Sequence, residues 1–125
     1  MRSHITRIAL VTAGLFVSAT ALNAGNSLSL RVSPRISTAP GYVLVTATVE
    51  RHPDNRTLEI AANSPDFFRS SVIPLDGDHA PRITQMTLKN LPGGEYSVVV
   101  VLHRSTGEQT EQHRTVMVMS SAANR

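Results

Sequence analysis

The sequence predicts an all-β protein, an antiparallel sandwich of about seven strands, and three observations carry that prediction. No stretch beyond residue 24 keeps the three-to-four-residue apolar spacing of a helix. Short runs of alternating apolar and polar residues recur instead, rich in Val, Leu, Ile and Thr. Proline, glycine, asparagine and aspartate separate these runs, as strand-to-strand turns require.

The first 24 of the 125 residues stand apart. Residues 1–7 (MRSHITR) carry Arg2 and Arg7 and no acid, residues 8–17 (IALVTAGLFV) are an apolar run, and small residues follow through Ser18, Ala19, Thr20, Ala21 and Ala24. Basic start, short apolar stretch and small residues at a cleavage point are the parts of a secretory signal peptide. The expected cleavage follows Ala21 or Ala24, and the run is shorter than the roughly 20 residues of a membrane span. The mature chain is therefore expected in the periplasm or outside the cell, meeting the membrane only during export. Residues 25–119 form one domain in this reading, and 120–125 a polar, disordered tail.

Removing that segment changes the charge argument. The whole chain has twelve Lys plus Arg against nine Asp plus Glu, and losing Arg2 and Arg7 leaves ten against nine. The remaining charges are interspersed, so nucleic acid is not an expected partner. The absence of cysteine excludes disulfides, a thiolate zinc site and a catalytic thiol. The domain must stand on its apolar core, which a chain of about 100 residues can supply by burying well over half of its unfolded surface.

The elements follow in order. Leu28, Leu30 and Val32 alternate with polar neighbours until Pro34 interrupts the first strand. Pro40-Gly41 turns the chain into residues 42–50 (YVLVTATVE), where Val43, Val45, Ala47 and Val49 share a face. A turn at 52–55 (HPDN) leads into 57–62 (TLEIAA), with Leu58 and Ile60 together. Asn55-Arg56-Thr57 would be a glycosylation sequon only in a eukaryotic secretory route. Residues 64–68 (SPDFF) read as a turn opening a short edge strand through Val72, and Asp76-Gly77-Asp78 as another turn. Residues 83–88 put Met86 and Leu88 inward, and residues 96–103 follow the Pro92-Gly93-Gly94 turn. Gly107 marks a hairpin into the last strand, 115–119.

The corner before residue 96 carries a resemblance. Leu88, Leu91, Pro92, Gly93, Tyr96, Val98 and Val100 resemble the segment preceding the sixth strand of fibronectin type III and related immunoglobulin-like domains, including those of bacterial exported proteins. The resemblance implies an immunoglobulin-like sandwich in which Leu91, Pro92, Gly93 and Tyr96 form a structural corner. The tyrosine ring would enter the core and its hydroxyl would bond back to the backbone. Leu91 lies five residues before Tyr96, where the fibronectin pattern has six, and Leu58 or Ile60 stands in for the missing core tryptophan.

With Tyr96 inward, Val98, Val100 and Leu102 also face the core, while Ser97, Val99, Val101 and His103 face outward. Val99 and Val101 are either covered by long neighbouring side chains or form an apolar stripe for docking or self-association. The adjacent aromatics Phe67 and Phe68 fall on an edge strand, one pointing in and one out. Val99, Val101, His103, Phe67 and Phe68 are thus the candidate partner-binding residues, the partner being another exported or cell-surface protein or a second copy.

Chemistry is sparse. His103 and His113 flank the final hairpin and face each other if residues 106–110 form its loop, whereas a tighter turn pairs His103 with Thr110. They are the candidate metal ligands, although no His-x-His or other short ligand spacing accompanies them. The 76–79 segment (DGDH) lacks the further carboxylates that calcium requires and reads as a turn. No nucleophile elbow, paired carboxylates in a cleft or glycine-rich phosphate loop occurs. The sequence-based expectation is a binding or assembly module acting through a sheet face or edge strand, without enzymatic activity or cofactor. The alternative is a small-ligand carrier holding a metal through histidines or a glycan through aromatics.

Overall fold

The structure is a computed structural model that describes residues 27–121. The expected signal peptide, and residues 122–125 of the expected tail, lie outside the described residues. The strands in order are β1 (Leu28–Ser33), β2 (Ile36–Thr38), β3 (Gly41–Val49), β4 (Asn55–Ser64), β5 (Phe67–Pro74), β6 (Ile83–Leu91), β7 (Gly94–Arg104) and β8 (Gln109–Met119). They form an all-β sandwich of a three-stranded sheet, β1-β3-β6, and a five-stranded sheet, β2-β8-β7-β4-β5.

The eighth strand is β2, beyond the expected seven, and it runs parallel to β8 where all other pairs are antiparallel. The pairing of β1 with β3 ends at Ser33, the chain bends through Pro34 and Arg35, and the next residues cross to the other sheet. A three-residue segment (IST) is too short for its alternation to be read from sequence. The last strand also starts earlier than expected, at Gln109 rather than 115. Its first half (QTEQHR) is too polar to signal a strand, and the unbroken register with β7 from His103↔Gln109 to Gly94↔Val118 holds it in the sheet.

Strand β7 lies in the middle of the larger sheet, paired with β4 and β8. Four consecutive valines suit such a position because β-branched side chains pack well on a pleated surface. Tyr96, Val98, Val100 and Leu102 are at most 1% exposed. They meet Val43, Val45 and Ala47 of β3 in one core, to which β4 contributes both Leu58 and Ile60. Each Val, Leu or Ile among them contributes about 1.5–3 kcal/mol when fully withdrawn from water.

The Tyr96 hydroxyl donates to the Pro92 carbonyl at 2.6 Å. Leu91 is fully buried beneath the corner, and Phe67 meets the tyrosine ring edge-on, with centroids 6.1 Å apart. Gly93 is required by a close approach: a Cβ there would fall 2.8 Å from Ser120 Oγ and 3.2 Å from Ser120 Cα. At the opposite end of β7, Asn55 is 1% exposed, donates from Nδ2 to the Glu50 carbonyl and accepts from Arg104 Nε, both at 3.0 Å. The sequon asparagine is therefore a buried hydrogen-bonding residue of the folded domain.

Tyr96→Phe should cost about 1 kcal/mol in urea unfolding, the usual net worth of one hydrogen bond. Burial, the largest effect on this phenol, raises its pKa above the ordinary 10.0, against lowering contributions from Ser64 and Arg69. The unfolded chain thus releases the proton first, so stability is full below pH 10.0 and falls as pH rises through the folded value. Tyr96→Phe should remove that part of the alkaline loss.

Candidate docking face and free edge

The period-two alternation of each strand decides which side chains reach the outer face of the five-stranded sheet, and the register decides their neighbours. Val99 and Val101 are half-buried there, as is His103. Val99 lies between Ala61 of β4 and His113 of β8, and Val101 between Glu59 and Glu111. The valine pair is therefore flanked on both sides of Val101 by carboxylates, and does not continue as an apolar stripe across the sheet. His103 Nε2 lies 3.3 Å from Glu59 Oε1, a cross-strand contact that draws both side chains over this face.

Larger apolar exposure sits at the sheet edge. Phe67 is half-buried against the core, with the Arg69 guanidinium 5.1 Å from its ring centroid, while Phe68 is 63% exposed. Arg69 also donates to the Lys89 carbonyl at 2.6 Å, linking β5 to β6 of the other sheet. Val72 is 62% exposed on the same face as Phe68.

Backbone polarity at this edge follows from one bond. Leu75 N–H donates to the Arg56 carbonyl at 2.8 Å, in the register that pairs β4 with β5. Hydrogen-bonding direction alternates along an antiparallel strand, so Phe67, Arg69, Ser71 and Ile73 turn their N–H and C=O groups towards β4. Phe68, Ser70 and Val72 turn theirs to the free edge. The same three residues project their side chains onto the exposed face, and none is charged. Proteins commonly protect such edges with lysine, bulges or coverage; here Pro74 ends the free run.

A shallow hollow of about 630 Å³ lies on the outer face near Phe68, lined by Asn63, Ser97, Thr115 and Glu95 among others. Asn63 is the cross-strand partner of Phe68. The histidine pair does not converge: the register sets His103 opposite Gln109, neither of the two pairings considered from sequence, and His113 opposite Val99. Four residues of strand at about 3.4 Å each separate the two levels. Among the described residues, no three His, Cys, Asp or Glu side chains gather to hold a metal. The 76–79 segment contains a single 3-10 turn, Gly77–His79, in which Asp78 faces His79 at 3.3 Å.

No protein-family model matches the chain, and no curated protein sequence does. Among solved structures, the chain is similar to the superoxide reductase (neelaredoxin) from Ignicoccus hospitalis, at 15% identity and a TM-score of 0.60 over 74% of this chain and 80% of that one. It is similar to the PmoD soluble domain from Methylocystis sp. at 15% identity and a TM-score of 0.50, over 73% of this chain and 90% of that one. It is also similar to the sporulation control protein Spo0M from Bacillus subtilis at 12% identity and a TM-score of 0.51, over 76% of this chain and 49% of that one. At these identities the likeness is one of fold.

The superoxide reductases correct one expectation from sequence, that the chain is not an enzyme. Enzymes are built on this sandwich, so the fold is no argument against catalysis. Sequence shows only local constellations, whereas a sandwich can assemble a site from strands and loops far apart in the chain.

The register makes a prediction of its own. Zinc should leave the thermal midpoint of the wild type unchanged, whereas Gln109→His puts an imidazole opposite His103 and should make the midpoint rise with zinc. A zinc response from Thr110→His in place of Gln109→His would show the register to be wrong.

Proposed function

We propose that this chain is an exported binding or assembly module of immunoglobulin-like type that takes up an extended strand at the free edge of β5. The single observation carrying this reading is the coincidence on Phe68, Ser70 and Val72 of free backbone groups, exposed side chains and no charge. Strand addition at a sheet edge draws its affinity from main-chain hydrogen bonds and its selectivity from alternate side chains, and β5 offers both. Val99, Val101 and His103 lie further in on the same face and would meet whatever a bound strand carries across it.

The occupant we favour is a second copy of the chain. Antiparallel pairing of two β5 strands about Ser70 sets Ser70 opposite its counterpart and Phe68 opposite Val72. An aromatic opposite a β-branched residue is a favourable cross-strand pair. No charged side chain on the outward face of β5 opposes that approach.

Three features support the immunoglobulin-like and exported parts of the reading. The hydroxyl of Tyr96 closes back on Pro92, as a tyrosine corner does. The three-plus-five strand arrangement suits such a domain. The first 24 residues have the composition of a signal peptide. A second reading, a glycan carrier, is favoured by the shallow hollow lined by Asn63, the cross-strand neighbour of the exposed Phe68.

Sedimentation of the mature domain beside Phe68→Lys with Val72→Lys tests the proposal. The expected result is a concentration-dependent dimer for wild type and a folded monomer for the variant. A wild type that stays monomeric at high concentration overturns self-pairing, and binding of simple oligosaccharides that is lost in Phe68→Ala would then favour the carrier.

A further inference from the structure

The larger sheet has a second open side. Strand β2 pairs only with Met117, Val118 and Met119, so the earlier part of β8 pairs with β7 on one side and is open on the other, along the sandwich seam near β1. A depression of about 160 Å³ lies in this seam, lined by Leu30, Arg31, Val32, Arg35 and Arg114. Leu30 and Val32 belong to the core, and the three arginines supply its polar wall.

Arg31 and Arg35 flank the crossing of the chain from β1 to β2, and the pairing of β2 with β8 brings Arg114, from the far end of the chain, beside them. The Arg35 carbonyl accepts from Met117 N–H at 2.8 Å, which pins this residue beside β8. Arg31 precedes it on β1, and Arg114 lies three residues before Met117 on β8, on the inward phase of the strand. Arg31 and Arg35 are exposed and Arg114 is half-buried. Arg114 donates from Nη1 to the His113 carbonyl at 2.7 Å.

Among the described residues, no carboxylate is paired with these charges. The ion pairs among the described residues involve His52, His79, His103 and Arg104, and none involves Arg31, Arg35 or Arg114. No acidic side chain occurs before Glu50, so β1, β2, β3 and the preceding segment hold none, and residues 122–125 add none. The only acid on β8 is Glu111, whose side chain lies on the outer face, opposite in phase to Arg114.

We infer that this seam is a binding site for a tetrahedral oxyanion, phosphate or a phosphate ester. Guanidinium groups suit that ligand because their planar forks donate paired hydrogen bonds to its oxygens and keep their charge at any physiological pH. The depression has room for one such group and not for a large metabolite. The anion is either free or carried on a lipid headgroup. The inference is independent of the β5 edge, which lies at the other side of the sheet.

Calorimetric titration of the mature domain with millimolar inorganic phosphate, in chloride of matched ionic strength, provides the test, with cosedimentation on phosphatidylglycerol and phosphatidylcholine vesicles beside it. Saturable phosphate binding that weakens at least tenfold in Arg35→Gln with Arg114→Gln, and is unchanged in Lys89→Gln, is the expected result. Phosphatidylglycerol-selective binding lost in the same double variant supports the site with the headgroup as the source. No ion pair is lost in these variants, so their urea midpoints should match the wild type, and Arg31→Gln serves if the double variant fails to fold. Absence of binding in both assays, or binding that the arginine variants leave intact, overturns the site.

Discussion

The Tyr96 side chain, sunk into the core with its hydroxyl held 2.6 Å from the Pro92 carbonyl, sets the phase of β7, and the rest of the sandwich depends on that phase. A strand shifted by one residue would exchange its faces entirely. With Tyr96 inward, Val98, Val100 and Leu102 are buried, and Val99, Val101 and His103 are committed to the outer face. Pairing on both sides then carries the phase to β4 and β8. From β4 it passes to β5, which is how a corner of four residues comes to decide that Phe68, and not Phe67, is exposed.

The unequal sheets have their own consequence. Three strands cannot cover the inner face of five, so β5 and the part of β8 that β2 does not pair carry residues of mixed character on the inward side. On β5, Arg69 closes over the Phe67 ring and reaches a carbonyl of β6. On β8, Gln112 and Arg114 take inward positions that an apolar core would not tolerate, and they are half-buried at the seam. The two open sides thus differ in chemistry. One presents an uncharged strand edge beside a guanidinium already engaged, and the other gathers guanidinium groups that no carboxylate among the described residues meets.

A chain whose charges nearly balance beyond residue 24 can hide such a gathering. Ten basic against nine acidic residues, interspersed along the sequence, exclude a long basic run but say little about local fields. The acids all lie from Glu50 onward, while Arg31 and Arg35 lie in the stretch before it. Folding then brings Arg114 from the far end of the chain to join them.

What the sequence by itself determined was local. Alternation settled the inward and outward faces of β1, β3, β4 and β7, and Pro-Gly, Asp-Gly and His-Pro-Asp-Asn segments settled where the chain turns, because both depend on residues adjacent in the chain. The edge character of residues 67–72 was also visible, since a lone Phe-Phe pair bounded by turn residues fits no central strand. The tertiary structure alone decided register and adjacency. It set His103 opposite Gln109, added β2 through a parallel pairing too short to leave a pattern, and kept a polar half of β8 in the sheet because β7 supplied its hydrogen bonds. It also removed the ground for excluding catalysis, and it assembled the arginine seam. A period of two tells which side of a sheet a residue takes, whereas its neighbours on that side come from other strands, and no local pattern encodes them.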